Sequence, residues 1–169
     1  MLSIERFIVT VCRAGLGLAF LTLIVVVMIQ VLGRLLDSSP IWTEELTRYA
    51  LLYMCAFGAG LAWRSGDLVN VDLLCESLPD AWPVRLRLVA AALTSLMCLW
   101  LLLPAWKFVS IGAMQTSPAM AVRMNYIHLS VFVLIATLFV FSLLRALFIL
   151  LANDDGLATN RKPDAREVV

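Results

Sequence analysis

The chain has 169 residues, 62% of them hydrophobic and 15% charged, with a net charge of +1 and a mean hydropathy of +0.94. Soluble domains run at about 45–50% apolar and about 25% charged, so a water-soluble globular domain is excluded. No nucleic-acid partner is expected.

Four nearly charge-free segments follow one another along the chain, at 14–33, 49–63, 88–106 and 127–144. A helix needs about 20 apolar residues to cross a hydrocarbon core of about 30 Å. The second segment reaches that length only when extended back through Trp42, which puts its charged start among the headgroups. The expected fold class is therefore an all-α integral membrane protein with four transmembrane helices. The spans, at about 14–33, 42–63, 88–106 and 127–144, form one membrane domain over residues 1–152, followed by a polar cytoplasmic tail at 153–169. Arg6 and Arg13 precede the first run as in a signal peptide. That run is longer than a signal core and no small-residue cleavage site closes it, so it reads as a retained span.

Between the first two spans lies the turn LLDSSPI, in which Pro40 is placed to start a helix and Ser39 or Thr43 to cap it. Glu44 and Glu45 then fall in the first helical turn, where the macrodipole favours carboxylates by roughly 0.3–1 kcal/mol each. Arg48 stands four residues after Glu44 and three after Glu45, within reach of both. Two readings follow: a local network at the interface, or a cluster facing another protein subunit, since lipid is a poor partner for charge. Further along, Ala56 with Gly60, and Gly58 with Ala62, form small-xxx-small pairs that let helix backbones approach. They serve either a subunit contact or packing inside the four-helix unit. Glu44, Glu45, Arg48, Ala56, Gly58 and Gly60 are the candidate subunit-interface residues.

The connection from Arg64 to Arg87 alternates leucines and valines with Asn70, Asp72, Glu76 and Asp80. It predicts a short amphipathic helix lying in the interface between spans two and three, ended by Pro79 and Pro83. The last connection, QTSPAMAVRM, again places a proline ahead of a helix.

Reaction chemistry is absent from the pattern. Cys12, Cys55, Cys75 and Cys98 show no C-x-x-C pairing and read as small packing residues. The single histidine, His128, is too little for a bis-histidine haem or a metal signature and reads as an interfacial hydrogen-bonder. Gln30 and Thr22 are the notable polar groups of span one, and no acid sits deep in a span as a proton-coupled exporter requires. No cofactor and no enzymatic activity are expected. Lys and Arg distribute asymmetrically: nine lie on the side shared by the termini and the second connection, against Arg34, Lys107 and Arg123 opposite, with Arg48 between. Both termini are therefore expected in the cytoplasm.

Taken in order, Trp42-Thr-Glu-Glu45 with Arg48 and Gly58, then Arg64-Ser-Gly-Asp-Leu-Val-Asn-Val-Asp72, then Ser117-Pro-Ala-Met120 resemble the Q-type small membrane subunit of tripartite ATP-independent periplasmic (TRAP) transporters. The resemblance runs from about Ile4 to Leu150 and departs at Asp67, where relatives often carry histidine, and at Val122-Arg123, where proline is common. It implies a bacterial inner-membrane scaffold subunit. Its partners would be a larger elevator-type permease that carries the substrate and sodium sites, a periplasmic binding protein that delivers an organic acid, and membrane lipids. The rival readings are an anchor subunit of a redox or quinone complex, with His128 lining a cofactor pocket, and a self-sufficient small exporter.

Overall fold

The computed structural model describes residues 2–38, 40–65 and 82–152. Its elements are four helices: α1 (Leu2–Leu35), α2 (Trp42–Ser65), α3 (Trp82–Gly112) and α4 (Asn125–Ala152). The amphipathic segment expected between the second and third spans and the tail at 153–169 lie outside the described residues.

Helices α1, α3 and α4 have 34, 31 and 28 residues, and all three are long and apolar enough to cross a membrane. Each overruns its apolar segment. A charge-free run marks where the chain meets hydrocarbon, whereas the hydrogen-bond ladder continues until a turn stops it. Helix α2, with 24 residues and charges near both ends, is the least apolar of the four.

The stop after α1 is a Schellman turn. Asp37 takes the left-handed conformation (φ 50°), the amide of Ser38 donates to the carbonyl of Gly33 at 2.8 Å, and that of Asp37 to Arg34 at 3.4 Å. Pro40 follows and accepts from the amide and hydroxyl of Thr43, at 3.2 and 2.6 Å. Thr43 thus closes the turn, not caps the helix as expected from sequence. Between α3 and α4 the chain makes a hairpin through a bridge of Thr116 with Arg123. The amide of Ser117 donates to Val122 and that of Met124 to Gln115. Ala121, also left-handed (φ 53°), makes the bend.

Backbones approach in three pairs, α1 with α2, α2 with α4, and α4 with α3. By backbone approach the helices stand in a row, α1–α2–α4–α3, and α1 reaches α4 through side chains alone, Val9 and Cys12 packing with Phe141. Helices in lipid gain no hydrophobic energy from association, so close packing of small residues decides the contacts. On α3 the buried residues Ala91, Ser95, Cys98, Ala105, Val109 and Gly112 form one such stripe. Between α2 and α4, Ala56 is fully buried and its carbonyl accepts from the Thr137 hydroxyl at 3.2 Å. At the end where the chain begins, Val9, Cys12 and Phe141 cluster with Phe57, Leu61 and Trp63.

Hydroxyls within the helices donate back to their own helix, as Thr22 does to Leu18 at 2.8 Å, Ser130 to Ile127 at 2.6 Å and Ser142 to Phe139 at 3.0 Å. In hydrocarbon this is the partner a lone hydroxyl finds without water. Among the described residues one buried polar atom, Trp63 Nε1, has no partner.

The glycines separate by what surrounds them. A Cβ at Gly60 meets Thr137 Cβ at 2.8 Å, while one at Gly17 meets nothing within 4 Å. Gly60→Ala is therefore expected to destabilise the isolated chain by about 1–3 kcal/mol through overpacking. Gly17→Ala is expected to stabilise it by about 0.5–1 kcal/mol, as removal of a helix-interior glycine does. Denaturant unfolding in micelles, followed by circular dichroism, checks both; the reverse order contradicts the helix row.

Candidate subunit-contact region and outer loop

The charged first turn of α2 disperses its side chains in three directions. Glu44 turns toward the end of α1, where its Oε1 lies 3.5 Å from a guanidinium nitrogen of Arg34. Both side chains are more than half exposed, and exposed pairs are worth about 0.2–1 kcal/mol. Glu45 turns the other way, into the hairpin between α3 and α4. Arg48, exposed, makes neither of the pairings that its spacing allows.

The Glu45 carboxylate is held by three donors of one loop. The Ser117 hydroxyl donates to Oε2, the amide of Ala119 to Oε1 at 3.2 Å and the amide of Met120 to Oε2 at 3.3 Å. The Ser117 hydroxyl oxygen also accepts from the Met120 amide at 3.3 Å. Successive backbone amides turned to one side make an anion-binding concavity, and the left-handed Ala121 bends the chain so that they converge. A cradle of donors alone selects the ionised carboxylate. Ser117 is buried at 3% exposure. These donors belong to a hairpin whose backbone is already fixed, whereas an Arg48 pairing requires ordering a long side chain. The Glu45–Arg48 pair expected from helical spacing is replaced by this contact for that reason.

Nearby, the Tyr53 hydroxyl donates to the carbonyl of Tyr126 at the start of α4. His128 stacks on Phe108 with ring centroids 3.9 Å apart, its Nδ1 3.1 Å from the Phe108 carbonyl. Gly112 makes room, since a Cβ there would come within 2.5 Å of that nitrogen. His128 thus ties the end of α3 to α4 through a hydrogen bond. Among the described residues no group of three or more His, Cys, Asp or Glu is placed to hold a metal ion.

At the opposite end, Arg64 Nε donates to Glu5 Oε1 at 2.8 Å, with both side chains largely covered. Sequence reasoning missed Glu5. The signal was opposite charge at the neighbouring ends of two antiparallel helices.

The six candidate contact residues therefore part company. Ala56 and Gly60 are buried against α4, and Glu45 is engaged by the chain's own loop. Glu44 and Arg48 remain exposed and Gly58 half-exposed. Gly58 lies in an open trough of about 740 Å³ between α1 and α2, with Arg13, Leu16, Gly17, Cys55 and Ala62.

Glu45→Gln leaves an amide with one acceptor oxygen facing three donors. In this variant the amides of Ala119 and Met120 are expected to exchange hydrogen several-fold faster, with the helix amides of α3 unchanged. Exchange mass spectrometry of the chain in micelles checks this; unchanged loop protection would show that the cradle does not hold the loop.

Comparison with known proteins places this geometry. Residues 23–152 match the family described as tripartite ATP-independent periplasmic transporters, DctQ component. The sialic acid TRAP transporter small permease protein SiaQ of Vibrio cholerae is 36% identical over 55 residues, 32% of this chain and 31% of that protein. A protein of Haemophilus influenzae, provisionally named a TRAP transporter small permease protein, is 23% identical over 117 residues, covering 67% of this chain and 71% of its own length. The matched region takes in the end of α1 and the whole of α2, the hairpin cradle and α4; the chain belongs to the DctQ family of TRAP transporter small permease subunits.

Proposed function

We propose that this chain is the stationary small subunit of a TRAP-type secondary transporter in the bacterial inner membrane. It supports sodium-coupled uptake of an organic acid by a larger elevator-type permease, to which a periplasmic binding protein delivers the substrate. The observation that carries this reading is the family match over residues 23–152. The placement of charge agrees with it. Glu5, Glu44 and Glu45 lie in the end turns of their helices and each engages another part of the same chain. Carboxylates used in this way hold a scaffold together; they are not set at mid-span, where an ion path would need them. The substrate class stays at organic acids, because sialic acid belongs to the name of a relative matched over 55 residues.

On this reading α2 is the fourth span. It runs from the hairpin cradle at one end of the row to the Glu5–Arg64 pair at the other. Its 24 residues reach about 36 Å, more than the hydrocarbon thickness of about 30 Å. The nine basic residues at the end shared by the termini and the second connection argue for both termini in the cytoplasm.

Two expectations follow. Reporter fusions after Asp37 and Gln115 are expected to read periplasmic and one after Val169 cytoplasmic; a periplasmic C-terminus overturns the orientation. In proteoliposomes the chain alone is expected to take up no organic acid, whereas addition of the large permease and binding protein gives uptake that needs a sodium gradient. Robust uptake by the isolated chain would sink the scaffold assignment.

A further inference from the structure

The hairpin between α3 and α4 turns three hydrogen-bond donors to one point, and bonds of its own set their direction. The amide of Ser117 donates to Val122 at 2.8 Å, that of Met124 to Gln115 at 2.9 Å, and that of Ala121 back to Ser117 at 3.0 Å. Ala121 supplies the left-handed bend (φ 53°), and the stack of His128 on Phe108 clasps the base. None of these contacts involves Glu45.

Three properties identify what such a site takes. The first is polarity. The Ala119 and Met120 amides can only donate, and the Ser117 oxygen already accepts from the Met120 amide at 3.3 Å. A ligand must therefore accept throughout, which excludes an ammonium group. The second is shape. Ala119 donates to one carboxylate oxygen, while Ser117 and Met120 donate to the other. Two separate acceptor atoms match a planar carboxylate and not a single-atom anion. Ser117 is only 3% exposed, so its hydroxyl is withheld from bulk water. The third is access. Pro40, Ile41, Trp42, Glu45, Pro118 and Ala119 line an open pocket of about 450 Å³ that leads to these donors.

The charge of the occupant is answered by the same groups. Among the described residues no Arg or Lys forms an ion pair with Glu45. Neutral donors turned to one side are enough to favour an anion, so recognition does not depend on where along a chain the carboxylate belongs.

We infer that the hairpin is a carboxylate-binding site in its own right, and that Glu45 is its resident ligand, closing it to carboxylates of the surrounding solution. A tethered ligand acts at an effective concentration of about millimolar or more, and the first turn of α2 fixes the direction from which Glu45 enters. A free acid below that concentration finds the site taken. It gains entry only when the first turn of α2 withdraws. The inference does not depend on the transport reading above.

The test empties the site and refills it. Glu45→Ala removes Cγ, Cδ and both carboxylate oxygens, and acetate supplies the same atoms. Hydrogen exchange at the amides of Ala119 and Met120, in the full-length chain in micelles at neutral pH, reads occupancy. In Glu45→Ala exchange is expected to be several-fold faster than in the wild type. Added acetate is expected to slow it again saturably, with half-effect on the order of 10 mM. Sodium chloride at equal ionic strength is expected to have no such effect, and neither salt to alter the wild type. Adding Ser117→Ala to Glu45→Ala is expected to abolish the response to acetate. Should Glu45→Ala lose helicity, Glu45→Gln carries the same test, because its amide nitrogen cannot accept from the donor it faces. Exchange that acetate leaves fast, with the hairpin-closing amides of Ser117 and Met124 still protected, overturns the proposal. Equal slowing by chloride, or by acetate in the wild type, overturns the assignment of a carboxylate site. Loss of protection at Ser117 and Met124 themselves would show that Glu45 builds the hairpin, and the independent site falls.

Discussion

Inside hydrocarbon no water answers a polar group, so each must be answered by the chain or carried to the end of its helix. The structure follows from how α2 meets that demand. It is the least apolar helix and it stands in the interior of the row, between α1 and α4. It is held there at three levels: by Glu45 in the hairpin at one end, by the Ala56 carbonyl and Thr137 at mid-height, and by Arg64 with Glu5 at the other. The end attachments lie in the terminal turns of α2; the middle one needs a residue as small as glycine at position 60 to bring the backbones close enough.

The row has a consequence for how the chain is covered. In a closed bundle each helix hides one stripe in a common core, but in a row of backbones the edge helices α1 and α3 leave much of their surface uncovered. Trp100 is 81% exposed and Leu103 72% on α3, as are Leu18 and Leu21 of α1 by more than half. In water such surfaces would drive aggregation. In a bilayer they are the normal outside of a span, since lipid tails are as apolar as leucine. Large exposed side chains on α1 and α3 therefore say little about partners. Small ones do, because a glycine facing lipid destabilises its helix and gives nothing back.

That asymmetry also marks what was legible in the sequence. Four helices could be read from four charge-free runs, since composition alone decides whether a segment is stable in hydrocarbon. Their order in space could not. Periodicity reports which face is buried only when the faces differ in polarity, and here both are apolar. The first turn of α2 was recognised as unusual, yet its pairing was misassigned. Helical spacing made Arg48 the nearest partner for Glu45, and the donors that hold it lie more than seventy residues away in a hairpin. No local rule reaches that far. His128 stood alone in the sequence, and its place beside Phe108 and Gly112 depends on residues sixteen and twenty positions away.

The small residues of α2 show why a single helix served both readings of the sequence. Ala56 with Gly60 and Gly58 with Ala62 are the same motif displaced by two residues. At 3.6 residues per turn that displacement is about 200°, so the two pairs face nearly opposite sides. Packing within the chain and packing against another protein were thus never alternatives for one surface. The first pair is closed by Thr137 and Phe141 of α4. The second lies in the trough lined by Leu16, Gly17 and Phe20 of α1 and bordered by Leu134 of α4. The neighbouring helix there, α1, sets its Leu16 side chain 3.7 Å from where a Cβ on Gly58 would stand, an ordinary contact. Close backbone approach is therefore required on the side of Gly60, where a Cβ would meet Thr137 at 2.8 Å, and not on the side of Gly58, where it would meet only Leu16 at 3.7 Å.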